Sequence, residues 1–189
     1  MNIGEYTFEE FSRMAARFHG YAAPGLLVGG YMVELGKRSL PAGTLFEVVV
    51  ETPKCLPDAV QLLTLCSIGN QRLKIHNLGR YAVTLFDKNT GEGVRVSLSR
   101  EKLAAFPEFA AWFFKTKAKR EQDEARLLAE IKAAGDSVCE VTQVRIKPEF
   151  MGHRHMGEVA CCPQCGEGYP TDDGPLCRGC RGDAPYVPL

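Results

Sequence analysis

Residues 44–66, TLFEVVVETPKCLPDAVQLLTLC, join a strand to a helix and so indicate the class of fold. The β-branched run at 44–51 predicts the strand. The segment from Leu56 to Cys66 predicts the helix that follows it. Cys55 therefore stands just before a helix N-terminus, where free N–H groups and the helix macrodipole lower the pKa of a thiol. We expect Cys55 to be a better ligand or nucleophile than an ordinary cysteine.

The flanking sequence supplies further helices and strands. A capping box, Thr7 followed by Glu10, opens a first helix, and Pro24 opens a second one. Strands are predicted at 73–76, 81–86, 94–98 and 138–146, and helices at 24–38 and 107–134. We predict an α+β core, with a mixed or antiparallel sheet and packed helices, over residues 1–148. A small zinc-finger domain, similar to a treble clef, is predicted over residues 149–189.

The charge balance argues against two classes of partner. The chain has 23 basic and 23 acidic side chains, so it lacks the positive field that attracts nucleic acids and anionic membranes. No apolar run approaches the ~18 residues of a membrane-spanning helix. The N-terminal sequence lacks the basic and apolar regions of a signal peptide. We therefore expect a cytoplasmic protein with no nucleic-acid partner and no membrane partner.

Five of the eight cysteines lie close together near the C-terminus. Four of them form two C-x2-C pairs, Cys162 with Cys165 and Cys177 with Cys180, separated by 11 residues. Each pair can point two thiolates at one ion and two pairs complete a tetrahedron, so the spacing predicts a structural zinc ion. Two disulfides or unliganded thiols are the alternatives. Cys161 offers a second register with Cys165, but the symmetric turn favours Cys162.

The charge of the finger separates its possible roles. Residues 152–189 carry three basic and five acidic side chains, and a zinc ion with four thiolates adds further negative charge. An anionic surface binds phosphates poorly, so we expect the finger to contact a protein or to staple the fold. His153 and His155 could also bind a metal. Because four cysteines already fill a tetrahedron, we expect both histidines to be exposed loop residues.

A second candidate site lies in the predicted core. His19 precedes the helix that Pro24 opens, and His19 and Cys55 could hold a metal ion or act as base and nucleophile. Cys66 is a third candidate for catalysis. In one helix the sulfurs of Cys55 and Cys66 would lie about 16 Å apart and could not share an ion within one protomer. Each residue also has a structural interpretation, because buried cysteines pack as small apolar side chains and His19 can hydrogen-bond the backbone.

Two segments, FHGYAAPGLLVG at 18–29 and ETPKCLPDAVQLLTLCSIG at 51–69, together resemble the formylmethanofuran dehydrogenase E-subunit family. The motifs of that family run His-Gly-His-x-Cys-Pro-Gly-Leu and Cys-x-x-Asp-Ala-x-Gln-x-x-Thr-Gly-Cys, and some members carry a C-terminal treble-clef finger. The matching positions are His19, Cys55, Asp58, Gln61, Thr64 and Cys66. Tyr21 stands at the second histidine of the family, Ala23 at its cysteine and Leu65 at a glycine. A full His/Cys/Cys set is therefore absent from this chain.

The resemblance implies an α+β core that forms a homodimer, and it leaves two classes of function open. The first is a metal-binding accessory protein whose partner belongs to molybdenum or tungsten enzyme metabolism or to one-carbon metabolism, methanogenesis included. The second is a small metal- or thiol-dependent enzyme, or a metal-transfer protein, that uses His19 and Cys55. The accessory role, with zinc as cofactor, is our primary hypothesis. A second bound metal in the core would instead favour the enzyme or metal-transfer protein.

Overall fold

The computed structural model describes residues 2–152 and 157–187. The chain forms two compact units, residues 1–151 and residues 152–189. This division lies close to the boundary that the sequence places after residue 148. Among the described helices, none combines the length and the apolar character that crossing a bilayer requires.

A five-stranded mixed sheet forms the centre of the first unit. Its strands are β1 (Phe46–Val50), β2 (Leu73–Ile75), β3 (Ala82–Asp87), β4 (Glu92–Leu98) and β5 (Cys139–Arg145). Their order across the sheet is β2-β1-β3-β4-β5. β1 and β2 run parallel, and the other neighbouring pairs are antiparallel. The mixed sheet confirms the predicted α+β class.

The helices of the first unit are α1 (Phe8–His19), α2 (Pro24–Arg38), α3 (Leu56–Leu63), α4 (Arg100–Leu103), α5 (Pro107–Phe114) and α6 (Glu124–Ala134). Three of them, α1, α3 and α6, pack against one buried helix, α2. Glycines in α2 let its neighbours approach closely, since a Cβ atom added at Gly30 would lie 2.6 Å from the ring of Phe11. The predicted capping box is confirmed. Thr7 Oγ1 accepts from the Glu10 N–H, and the Glu10 carboxylate accepts from the Thr7 N–H.

The prediction of a single helix over 107–134 is wrong. α5 ends at Phe114, after which Lys115 adopts a left-handed backbone with φ of 55°. α6 begins only after Asp123, which caps its first turn. A 3-10 turn, Lys119–Glu121, lies between the two helices. Residues 115–123, which include three lysines and one arginine, therefore form a connecting loop and not part of an α-helix.

Glu108 explains why this connection is ordered. Its side chain is 3% exposed, forms an ion pair with Lys117 and accepts from the Asp123 N–H at 3.1 Å. Glu130 of α6 in turn accepts from the N–H groups of Glu108 and Phe109 at 2.7 and 3.0 Å. These contacts fasten the loop and α6 to the first turn of α5. The N–H groups of Glu108 and Phe109 lie in the first turn of α5 and have no acceptor within that helix, so the Glu130 carboxylate caps them.

α3 also ends earlier than predicted, at Leu63. Thr64 adopts an extended backbone, and its hydroxyl donates to the Val60 carbonyl at 2.7 Å and accepts from the Cys66 N–H at 3.0 Å. Cys66 therefore lies beyond the helix, buried, with its Sγ 3.5 Å from the Phe46 carbonyl oxygen. Since Cys55 and Cys66 do not belong to one helix, the separation expected above for a continuous helix does not apply.

The second unit is a hairpin followed by tight turns. β6 (Val159–Cys161) pairs antiparallel with β7 (Gly168–Pro170). A 3-10 turn (Thr171–Asp173) and a helical turn (Gly179–Asp183) follow. Tyr169 is buried and donates its hydroxyl to the Gly174 carbonyl at 2.9 Å. A unit this small with so few buried side chains needs a cross-link or a metal ion for its stability.

Candidate functional site

Four cysteine sulfurs converge in the second unit. The Sγ atoms of Cys162, Cys165, Cys177 and Cys180 all lie within 4.8 Å of one another, with Cys165 and Cys177 at 3.7 Å. None of the eight cysteines forms a disulfide. Thiolates arranged tetrahedrally about 2.3 Å from a zinc ion lie about 3.8 Å apart. The four residues therefore fit a four-cysteine zinc site in number, donor type and spacing.

Local backbone hydrogen bonds shape the two C-x2-C turns. In the first, Gly166 follows Cys165 with a left-handed φ of 78° and donates its N–H to the Cys162 carbonyl at 2.8 Å. A side chain at that position would strain the backbone. In the second, the Cys180 N–H donates to Cys177 Sγ at 3.4 Å. Each turn thus points two sulfurs to the same side.

The electrostatics of the cluster favour a bound cation. Backbone N–H groups, led by those of Cys177 and Cys165, lower the pKa of Cys162 to about 6. The neighbouring thiols, Cys177 first, raise the pKa of Cys180 to about 12. One thiolate is therefore stabilised and a second is opposed by like charge. A soft divalent cation at the centre removes that opposition and allows all four thiols to ionise.

Cys161 is separate from this cluster. It ends β6 with an exposed side chain, whereas Cys162 is buried within the cluster. The structure thus selects the register that pairs Cys162, and not Cys161, with Cys165. His153 and His155, the other residues considered as ligands, lie outside the described residues.

A second constellation lies in the first unit, where α1 meets α3. Nδ1 of His19, at the end of α1, is 2.6 Å from Oδ2 of Asp58, in the first turn of α3. At this distance a carboxylate oxygen of Asp58 accepts a hydrogen bond from the ring Nδ1–H of His19. The sequence singled out both residues but not their contact, because 39 positions separate them.

Cys55 lies against the first turn of α2. A Cβ atom added at Gly25 would be 3.1 Å from Cys55 Sγ, and the Cys55 backbone has a φ of 54°, which non-glycine residues rarely adopt. Burial, followed by the charge of Asp58, raises the pKa of the Cys55 thiol, while Lys54 and the Leu26 N–H act in the opposite direction. The expectation of a lowered pKa is therefore wrong, because desolvation outweighs the helix N-terminus.

Tyr81 completes this corner of the first unit. Its hydroxyl donates to the Gly25 carbonyl, and its ring meets Phe113 edge-on with centroids 6.3 Å apart. Burial, followed by the charges of Cys55 and Asp58, raises the pKa of Tyr81 well above its usual range. Sequence reasoning missed Tyr81, because a tyrosine at the start of a strand carries no signal for such a position.

The first unit does not gather a metal-binding set among the residues that the structure describes. Within residues 2–152 and 157–187, the four-cysteine cluster is the one place where three or more histidine, cysteine or carboxylate ligand atoms come together. His19 and Cys55 both lie close to Asp58. Cys66 lies elsewhere and lines a separate cavity of about 360 Å³ beside β1.

Comparison with known proteins supports the division into two units. Residues 18–146 match the family described as "FmdE, Molybdenum formylmethanofuran dehydrogenase operon". The chain belongs to the FmdE family. Residues 153–187 match a second family, "FmdE treble clef zinc finger". The family resemblance and the treble-clef finger predicted from the sequence are thereby confirmed.

Two individual proteins are similar to this FmdE-family protein. One is the protein of Syntrophus aciditrophicus whose crystal structure is described as that of a "tungsten formylmethanofuran dehydrogenase subunit e (fmde)-like protein". It is 47% identical, with a TM-score of 0.91 over 98% of both chains. A protein of Archaeoglobus fulgidus, named "Probable S-adenosyl-L-methionine-binding protein", is 28% identical over 89% of this chain and 51% of its own length. The chain thus spans about half the length of that curated relative.

Proposed function

We propose that this protein is a metal-binding accessory protein whose second unit holds one structural zinc ion. The observation that supports this most directly is the convergence of four cysteine sulfurs within 4.8 Å of one another. Four protein ligands close the coordination shell, whereas a catalytic zinc keeps one position open for water or substrate. The ion would tie the hairpin to the turn at Gly179–Asp183 and supply stability that the few buried side chains of this unit cannot.

The partner that we propose is a protein. The finger carries more acidic than basic side chains over residues 152–189, which disfavours nucleic acid. The family description and the name of the Syntrophus aciditrophicus relative both refer to formylmethanofuran dehydrogenase. We therefore propose that the protein serves a molybdenum- or tungsten-dependent enzyme of one-carbon metabolism. We also propose that it is a homodimer, as the family resemblance implies. The ligand in the name of the Archaeoglobus fulgidus protein does not enter the proposal, because half of that protein has no counterpart here.

A small metal- or thiol-dependent enzyme that uses His19 and Cys55 is the second candidate. The contact between His19 and Asp58 favours it, because a carboxylate that orients an imidazole is the usual partner of a histidine base. The raised pKa of Cys55 opposes it, because the thiolate is the nucleophile and the metal ligand. The accessory role therefore remains the primary proposal.

Metal content measured by plasma mass spectrometry on the full chain tests both proposals. The protein is purified anaerobically without chelator, together with Cys177→Ser and the matched control Cys161→Ser. We expect one zinc per chain in the wild type and in Cys161→Ser, and its loss in Cys177→Ser. Retention of zinc by Cys177→Ser would contradict the four-cysteine site. A second metal equivalent that disappears in Cys55→Ala would favour the enzyme.

A further inference from the structure

A cavity of about 420 Å³ opens beside the α1–α2 connection. It adjoins the constellation of His19 and Asp58, because the ring of its lining residue Tyr21 lies 5.2 Å from the ring of His19. Its walls come from that connection, from α5 and α6, and from the loop between them. The lining residues are Tyr21, Pro24, Trp112, Lys115, Lys119, Gln122, Glu124 and Leu127. The volume lies in the range of small-molecule sites, about 300–1,000 Å³.

The cavity exists because α5 and α6 are not one helix. The left-handed backbone at Lys115 turns the chain away from the axis of α5. The buried Glu108 carboxylate then holds the loop through Lys117 and the Asp123 N–H. The loop wall, which carries Lys115 and Lys119, is thus built and fastened from within the fold.

The lining of the cavity pairs two aromatic rings with two lysine side chains. Trp112 is half-buried and held between Phe109 and Phe113, with ring centroids 6.1 and 6.3 Å away. Tyr21 leaves 61% of its surface exposed. Neither Lys115 nor Lys119 has a carboxylate within ion-pair distance in the part of the chain that the structure describes.

The charges of the lining favour an anion. Glu124 is the single carboxylate in the lining, against two lysines, so the net charge of the walls is positive. Glu124 is also available to accept a hydrogen bond from an N–H or O–H group on the same ligand. Aromatic side chains bind planar rings by stacking. The combination of rings and lysines selects for a ligand that is both planar and anionic.

We propose that this cavity binds a planar aromatic anion. Its ring would stack on Trp112 and Tyr21, and its phosphate or carboxylate would lie between Lys115 and Lys119. A nucleotide and an aromatic carboxylate both have this chemistry. The proposal does not depend on zinc in the second unit, because every lining residue belongs to the first.

Binding of four probes to the full chain tests the proposal. Adenosine monophosphate and naphthoate are the aromatic anions, adenosine is the neutral ring, and inorganic phosphate is the anion without a ring. Trp112 is the one tryptophan of the chain, so saturable quenching of its emission places a probe in this cavity. Calorimetry then gives each Kd. The variants are Lys115→Ala/Lys119→Ala and a matched control, Lys88→Ala/Lys147→Ala, in which both lysines are exposed and outside the lining.

We expect at least one aromatic anion to quench Trp112 and to bind about tenfold or more tightly than adenosine and phosphate. The Lys115→Ala/Lys119→Ala variant should raise its Kd by about tenfold or more, and the control variant should leave it unchanged. The tighter of the two anions then distinguishes a nucleotide from an aromatic carboxylate. Absence of saturable binding by both anions, binding of adenosine or phosphate as tight as theirs, or an unchanged Kd in the lining variant would each overturn the proposal.

Discussion

His19 Nδ1 lies 2.6 Å from Asp58 Oδ2, and this contact joins the end of α1 to the first turn of α3. The side chains are 22% and 27% exposed, so water weakens the pair without replacing it. Asp58 also acts on Cys55 and Tyr81 through its charge. The Asp58 carboxylate therefore interacts with three ionisable side chains, those of His19, Cys55 and Tyr81.

A double-mutant cycle with His19→Ala and Asp58→Ala should show coupling. We expect each single variant to lower the free energy of unfolding, and the coupling energy to be about 1 kcal/mol, as for a partly exposed hydrogen bond to a charged group. Urea denaturation at pH 7 gives the four free energies. Additive effects of the two substitutions would mean that the contact contributes nothing to stability.

Glu108 should make the stability of the first unit depend on pH. The hydrogen bond from Lys117, assisted by the Asp123 N–H, lowers the pKa of Glu108 in the folded chain. Its contribution is therefore present above the unfolded pKa of about 4.3 and is lost as the pH falls through the folded value. Glu108→Gln should lower Tm by roughly 3 °C at pH 7, and the difference from the wild type should shrink as the pH falls through the folded pKa of Glu108. A difference that stays constant with pH would argue against an ionised Glu108.

One thiol should react much faster than the other seven in the metal-loaded chain. Burial raises the pKa of Cys55 and Cys66, and raises that of Cys139 to about 12. The ion would protect the four clustered sulfurs, which leaves exposed Cys161. Ellman's reagent at pH 8 should show a single fast thiol, absent from Cys161→Ser, and five after chelation under anaerobic conditions. A fast phase that survives in Cys161→Ser would contradict this assignment.

Gly93 should tolerate no side chain. It pairs with Phe86 across β3 and β4, and a Cβ atom there would lie 2.2 Å from the Leu85 carbonyl oxygen. The backbone of β3 cannot move away from the added Cβ atom without breaking its pairing in the sheet. Gly93→Ala should therefore lower the free energy of unfolding by about 2 kcal/mol or more. Gly69→Ala is the control, because the nearest atom to its added Cβ is 4.0 Å away, and it should change stability by less than about 0.5 kcal/mol. Chemical denaturation of both variants makes the comparison.

Local patterns predicted those features that depend on neighbours in the chain. The capping box at Thr7 and Glu10 depends on four consecutive residues. Each C-x2-C pair likewise depends on a single turn that brings its two sulfurs together. The register of Cys162 against Cys161 also followed from the symmetry of those turns. The α+β class followed from β-branched runs that alternate with helical spacing.

Long-range contacts overrode the local patterns elsewhere. The sequence predicts one helix over 107–134, yet the chain turns at Lys115 and buried Glu108 holds the loop that follows. The pKa of Cys55 follows from burial against α2, which helix position alone does not reveal. Tyr81 and the pairing of His19 with Asp58 likewise depend on segments that meet only in the folded chain.

The division into two units implies that heat can act on them separately. Trp112 reports on the first unit, and the thiolates of the finger would report on the second when cobalt replaces zinc, through their charge-transfer absorption. A melting curve followed by tryptophan emission therefore reports on the first unit and not directly on the metal. Cooperative unfolding of the whole chain requires the two signals to coincide. If the metal leaves first, the temperature at which the finger opens, and not the midpoint of the larger unit, would limit the working range of the protein.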